Sequence, residues 1–154
     1  MSLPPFQRVL EEHGPPVRRF LVAALGPPDG DDAFQETFLS ALRAYPRLDA
    51  RADVRAWIFT IAHRKLIDHH RARTRRAVPV ADLPERAAPA SDGHDPALWN
   101  AVRALPPKQR AAVLWRYVVD LPYRDVGRMI GCSEDAARQN VRAGLATLRE
   151  RWTP

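Results

Sequence analysis

Arg138, Gln139 and Arg142 can read base edges, because arginine bonds guanine bidentately, glutamine does the same with adenine, and each can instead reach a phosphate. With Ser133 and Glu134 they form the start and outer face of a helix expected over Ser133–Trp152. The preceding segment, Tyr123–Ile130, also has helical spacing, and Gly131 suits the left-handed conformation that ends a helix. Ser133 is placed to cap the second helix, its hydroxyl accepting from the amide of Asp135 or Ala136. Val126, Met129 and Ile130 are expected to pack on Ala137, Val141 and Leu145, with Gly127 small where the helices approach. This is the pattern of a helix-turn-helix, whose second helix enters the DNA major groove. An ordinary helical hairpin with a solvated basic face shares it. A chain charge of +6 and a pI near 10.4 favour a polyanionic partner.

A second basic concentration lies earlier, in Arg64, Lys65, Arg71, Arg73, Arg75 and Arg76, interleaved with His63, Asp68, His69 and His70. A solubilising face would look the same, but two separated basic helices suit two contacts with one long polyanion. The histidines do not make a metal site. His63 and His70 share a face but stand ~10 Å apart along a helix, too far for one zinc bound at ~2 Å. His69 and His70 diverge. Cys132 has no Cys or His at ligand spacing and reads as a packing residue; one cysteine also excludes an internal disulfide and fits a reducing compartment. Asp31, Asp32 and Glu36 could hold a divalent ion, yet the same spacing describes the acidic start of an amphipathic helix. No phosphate loop, His-Glu zinc helix or nucleophile elbow is present, so catalysis and cofactors have little support.

The elements that must position these residues are all helical. Apolar residues recur at helical spacing from Phe6 to Leu25, and Gly14-Pro15-Pro16 is expected to split them into two short helices. Residues 26–30 read as a loop. A helix over Asp31–Tyr45 should bury Phe34, Phe38, Leu42 and Tyr45 and present Asp32, Gln35, Glu36 and Arg43 outward. After a polar connection, a helix over Val54–Arg73 should bury Val54, Trp57, Ile58, Ile61, Ala62 and Leu66. Four prolines among small residues between Thr74 and Pro96 then suggest a flexible tether. Beyond it, helices are expected over Ala97–Ala104 and Lys108–Val119, the latter burying Val113, Leu114, Tyr117 and Val118. The expected fold is all-α: two small helical domains, 1–76 and 97–154, joined by a Pro-rich linker over 77–96. No signal peptide and no run of the ~20 apolar residues that span a bilayer is visible, so a cytoplasmic location without membrane insertion is expected.

Together these residues resemble a bacterial RNA polymerase sigma factor of the extracytoplasmic-function class, within the sigma-70 family. DGDDAFQETFLSALRAYPRL and ADVRAWIFTIAHRKLIDHHRAR are similar to the family's region 2; ALPPKQRAAVLWRYVVDLPYRDVGRMIGCSEDAARQNVRAGLATLRERW is similar to region 4. The resemblance implies that Asp29, Asp32, Gln35, Glu36 and Leu39 dock on the β′ clamp helices of core RNA polymerase. It implies that the loop Arg47–Asp53 and the helix after it, through Arg51, Asp53, Trp57, His63, Arg64, Asp68 and Arg71, read and melt the minus-10 promoter element. Region 4 would bind the β flap and read minus-35 DNA through Ser133, Glu134, Arg138, Gln139 and Arg142. The linker would set the distance between the two promoter contacts. Synthesis would belong to the polymerase, and an anti-sigma factor is a common further partner in this class. The recognition helix departs from the family pattern in Asp135-Ala136-Ala137, and in Asn140 and Gly144 where basic residues are common. A stand-alone helix-turn-helix regulator would explain the tail but leave the Asp32–Glu36 face idle. A nuclease or recombinase would need a carboxylate cluster or nucleophile that the chain does not display.

Overall fold

The computed structural model describes residues 2–76 and 95–152, which hold seven α-helices, one short 3-10 turn and no strand. The chain divides into two compact units, Met1–Arg71 and Ala72–Pro154. Of the expected linker, residues 77–94 lie outside the described residues. Its last residue, Pro96, instead opens a helix, a position that suits a residue with no amide to donate.

In the first unit, α1 spans Phe6–Leu25 without interruption, with Pro15 and Pro16 inside it. The expected break is absent. The two prolines forgo the bonds their amides would make four residues back, but Val9, Val17, Phe20, Leu21 and Ala24 keep one buried face through the site. Packing of that face on α2 outweighs the lost bonds. α2 spans Asp29–Ala44, starting two residues earlier than its periodicity implied, with Asp29, Asp31 and Asp32 in the first turn. Gly30, expected in a loop, is a contact point: a Cβ there would stand 2.5 Å from the Cα of Val22, so α1 and α2 cross backbone to backbone.

The buried face of α2 is Gly30, Ala33, Thr37, Phe38 and Ala41. Leu42 is 51% exposed, and Phe34 and Tyr45 are half-buried, so the expected stripe was rotated. Small residues lie nearest α1 because the close crossing leaves no room for larger ones. Buried Thr37 satisfies its hydroxyl by donating to the carbonyl of Ala33 at 2.7 Å. Phe6 links the two helices, its ring 6.4 Å from Phe38 and 5.3 Å from Tyr45. The Tyr45 hydroxyl donates to the carbonyl of Pro4.

α3 spans Val54–Arg75 and buries Ile58, Phe59, Ala62, His63 and Leu66. Val54, Trp57 and Ile61, expected inside, are half-exposed, and Phe59 and His63 take their place. The helix docks on α1 through the rings of Phe59 and His13, 6.5 Å apart, and on the end of α2 through Trp57 and Tyr45, 6.0 Å apart.

The second unit contains α4 (Pro96–Arg103), α5 (Pro107–Tyr117), α6 (Tyr123–Ile130) and α7 (Glu134–Arg151). Its core is built on Trp115, wholly buried, with Leu105, Leu114, Val126 and Val141. Tyr117, expected in this core, is 56% exposed, and Val118 is half-buried. α5 is buried along Arg110–Trp115, a run with no helical period, because it lies under both α6 and α7. Asp95 caps α4, accepting from the amide of Ala97 at 2.9 Å, and also accepts from the indole N–H of Trp152 at 2.9 Å. Both donors favour the carboxylate and lower its pKa. The end of α7 is thereby tied to the start of α4.

Candidate nucleic-acid interface

Asp32, Gln35, Glu36 and Leu39 recur at helical spacing on α2, and all four are exposed. Asp29 is half-buried at the helix start. The exposed stripe continues to Leu42, so two leucines, each about half exposed, sit beside the acids. Leu42 belongs to this surface although its spacing from Phe38 pointed to the core. Glu36 is not free: its Oε2 lies 3.0 Å from Nε2 of His69 on α3. Asp31, outside the stripe, pairs with Arg18 of α1 at 2.9 Å.

On α3, Trp57, Arg64, Asp68 and Arg71 follow one another at intervals of seven, four and three, which keeps them on one face of a 3.6-residue helix. The buried set from Ile58 to Leu66 takes the opposite face. Arg64, Asp68 and Arg71 are exposed, and no ion pair involves either arginine among the described residues. Trp57 presents part of its ring at the N-terminal end of the same face. The segment before α3 is a tight turn: Asp49 accepts from the amides of Ala52 at 2.9 Å, through its carbonyl, and of Arg51 at 2.8 Å, through its carboxylate. Asp53 then caps α3 by accepting from the amide of Ala56 at 3.1 Å. Arg51 and Asp53 are both exposed, so the cap and the candidate DNA contact are the same side chain.

His63 lies apart from this face. It is only 9% exposed, and burial lowers its pKa to about 4, so the ring is neutral at pH 7. The basic run around it is what suggested a surface contact; the helical phase sends the ring into the core. No group of three or more His, Cys, Asp or Glu among the described residues could hold a metal ion.

The helix-turn-helix has the expected local chemistry. α6 ends at Gly131 in the left-handed conformation, φ 76° and ψ 38°, and the Ser133 hydroxyl accepts from the amide of Ala136 at 3.1 Å. A Cβ on Gly127 would stand 2.7 Å from the carbonyl oxygen of Cys132, so the tight approach is to the turn rather than to α7. Val126, Ile130, Ala137 and Val141 are buried, while Met129 and Leu145 are half-buried. Ser133, Glu134, Arg138, Gln139 and Arg142 are all exposed at the N-terminal half of α7.

Arg138 is nevertheless engaged. Its Nη1 lies 3.1 Å from Asp135 and its Nη2 lies 3.3 Å from Glu134, and its guanidinium stands 4.9 Å from the ring centre of Tyr123. Arg142 and Arg149 have no ion pair among the described residues. Tyr123, Arg138, Val141, Arg142, Leu145 and Arg149 line one shallow groove between α6 and α7. Tyr123 went unmarked in the sequence, where it counted only as a helix start. Gly144 and Asn140, positions that departed from the family pattern, are turned away from this surface. A Cβ on Gly144 would stand 2.7 Å from Cγ2 of Val113 on α5, and half-buried Asn140 donates back to the carbonyl of Ala136 at 3.0 Å.

Two family profiles match the chain, Sigma-70 region 2 over residues 9–76 and Sigma-70 region 4 over residues 96–148. The chain belongs to the sigma-70 family. Its relatives place it in the extracytoplasmic-function class. It is 33% identical to the ECF RNA polymerase sigma factor SigF of Caulobacter vibrioides, over 81% of this chain and 72% of that one. It is 28% identical to the RNA polymerase sigma factor CarQ of Myxococcus xanthus, over 94% and 87%. Among solved structures, the sigma factor RpoE of Bartonella quintana, crystallised with the anti-sigma factor NepR, shares the fold with a TM-score of 0.77 at 20% identity, each chain covered to 94%. CnrH, solved with the cytosolic domain of CnrY, has a TM-score of 0.68 at 19% identity, over 94% of this chain and 85% of that one.

Proposed function

We propose that the chain is a sigma factor that binds core RNA polymerase and directs promoter-specific transcription initiation, each unit making one promoter contact. The observation that carries this reading is the exposed α2 stripe, Asp32, Gln35, Glu36 and Leu39, on the same chain as a complete helix-turn-helix. A stand-alone regulator would have no use for that stripe. Its acids and half-exposed leucine suit a rigid protein partner, a role assigned here to the β′ clamp helices. Asp29 stands at its edge.

The α3 face supplies the minus-10 contact. Trp57 offers a ring on which an unstacked base can rest, Arg64 and Arg71 grip the backbone, and Arg51 and Asp53 border the entry. The N-terminal half of α7 enters the major groove of minus-35 DNA and contacts it through Arg138, Gln139 and Arg142, with Ser133 and Glu134 at the helix start. The second unit also binds the β flap. The segment that joins the two units would set the distance between the two contacts. The polymerase performs the synthesis, so this subunit has no catalytic step of its own. No helix among the described residues is long and apolar enough to cross a membrane; the cytoplasm is inferred from the polymerase on which the subunit would act. An anti-sigma protein would act by covering the same α2 and α7 surfaces.

The test is transcription in vitro by core polymerase supplemented with the purified protein on its own genomic DNA. Start sites preceded by two shared sequence elements are the expected outcome. Absence of initiation at every promoter would overturn the reading.

A further inference from the structure

Arg138 differs from the other cations of its groove. Two carboxylates hold it on its own helix, Asp135 at 3.1 Å and Glu134 at 3.3 Å, and the Tyr123 ring lies under its guanidinium at 4.9 Å. Tyr123 is the first residue of α6, and a second guanidinium, that of Arg116 on α5, stands 5.0 Å from the same ring. Arg116 is itself fixed to the turn before α6, donating to Asp120 at 3.2 Å and to the carbonyl of Leu121 at 3.4 Å. One aromatic ring thus joins three helices at the DNA-facing end of the unit. Attraction between a cation and the negative face of a ring adds a third restraint to the two ion pairs that place the guanidinium.

The charge count argues against a phosphate role for Arg138. With Glu134 and Asp135 beside it the cluster is net negative, so it adds nothing to the attraction for the DNA backbone. Arg142 and Arg149, without ion pairs among the described residues, are the cations of the groove that serve that purpose. The two carboxylates occupy one proton on each terminal nitrogen of Arg138. Nε–H and one further proton on each terminal nitrogen remain available, enough for a guanine edge.

We infer that Tyr123 is a positioning residue for base-specific recognition: its ring holds the Arg138 guanidinium in the one orientation that reads a base pair of the upstream promoter element. The inference rests on the proposed function. It makes Arg138 a specificity contact and leaves affinity to Arg142 and Arg149. The ring alone does the positioning, so the hydroxyl is dispensable.

The experiment uses the full chain with core polymerase on a promoter found as above, each upstream base pair being varied in turn. Tyr123→Leu is expected to lower discrimination roughly tenfold at a single base pair, the same one at which Arg138→Ala loses it. The double variant should discriminate no worse there than Arg138→Ala alone, and Tyr123→Phe should retain discrimination. Thermal unfolding is followed in parallel; should Tyr123→Leu not fold, Tyr123→Met keeps the bulk without the ring and carries the same test. Uniform weakening on all sequences, loss at a different base pair, or additive loss in the double variant would overturn the inference while wild-type initiation upholds the function. If the wild type initiates nowhere, the function falls, and the role of Tyr123 falls with it.

Discussion

Arg64 and Arg71 on α3 stand exposed and without ion pairs among the described residues, whereas Arg138 on α7 is held by two carboxylates and a ring. The same residue type stands without ion pairs in one unit and is engaged by neighbouring side chains in the other. Under the proposed function, the unpaired arginines of α3 would contact phosphates and the engaged one of α7 a base edge. The cores differ in a parallel way. The α1–α2 crossing of the first unit is backbone against backbone, at Gly30 and Val22; the α5–α7 crossing of the second is backbone against a methyl group, at Gly144 and Val113, its own backbone-on-backbone contact being that of Gly127 with the turn. One crossing cannot yield and the other can.

The largest effect should come from that last contrast. Gly30→Ala is expected to destabilise the first unit by more than about 3 kcal/mol, since its Cβ meets main chain. Gly144→Ala should cost no more than about 2 kcal/mol, offset by better helix propensity, and Val113→Ala should rescue it. Hydrogen exchange resolved by peptide would report the units separately; equal losses would erase the distinction.

Among the described residues, the pH dependence that comes from histidine should be confined to the first unit. His63 titrates at about 4 when folded and near 6.5 when unfolded, so the unfolded chain takes up its proton first. The stabilisation is full above pH ~6.5 and falls by about 3 kcal/mol as the pH drops toward 4. Burial lowers the pKa of His13 as well, so it adds in the same direction. The second unit has no histidine among its described residues. Replacing His63 by Leu should flatten that part of the stability profile of the first unit; an unchanged slope would count against it.

Reversing Asp32 and Glu36 to Lys should weaken polymerase binding roughly a hundredfold and leave the DNA affinity of the second unit intact, as measured by holoenzyme assembly and by gel shift. Arg138→Ala should cost about 1–3 kcal/mol of discrimination at one base pair. Arg64→Ala with Arg71→Ala should instead weaken promoter opening on all sequences alike and reduce the salt slope by about 1.4. A uniform effect for Arg138, or a base-specific one for Arg64 and Arg71, would reverse the comparison.

Local chemistry was legible in the sequence where one residue type has one physical use. Gly131 and Ser133 fix the turn of the helix-turn-helix, and the bounds of α6 are those its spacing implied. The exposed acids of α2 and the basic outer face of α3 followed from period alone. Residues with two uses were misplaced. Pro15 and Pro16 would break an isolated helix, and only the continuous apolar face against α2 keeps α1 whole. Leu42 and Tyr117 are apolar enough for a core and stand outside it; His63 is polar enough for a surface and lies inside.

The sequence by itself determined the helical elements among the described residues, their caps and turns, and the charges of two basic helices, because these depend on neighbours within one or two turns. Only the tertiary structure decided where the edge of each buried face falls and which cations are engaged by neighbouring side chains. Those depend on distances between helices. Gly30 admits α1 so closely that the α2 stripe rotates, and Tyr123, unremarkable in sequence, meets Arg116 and Arg138 only when three helices converge.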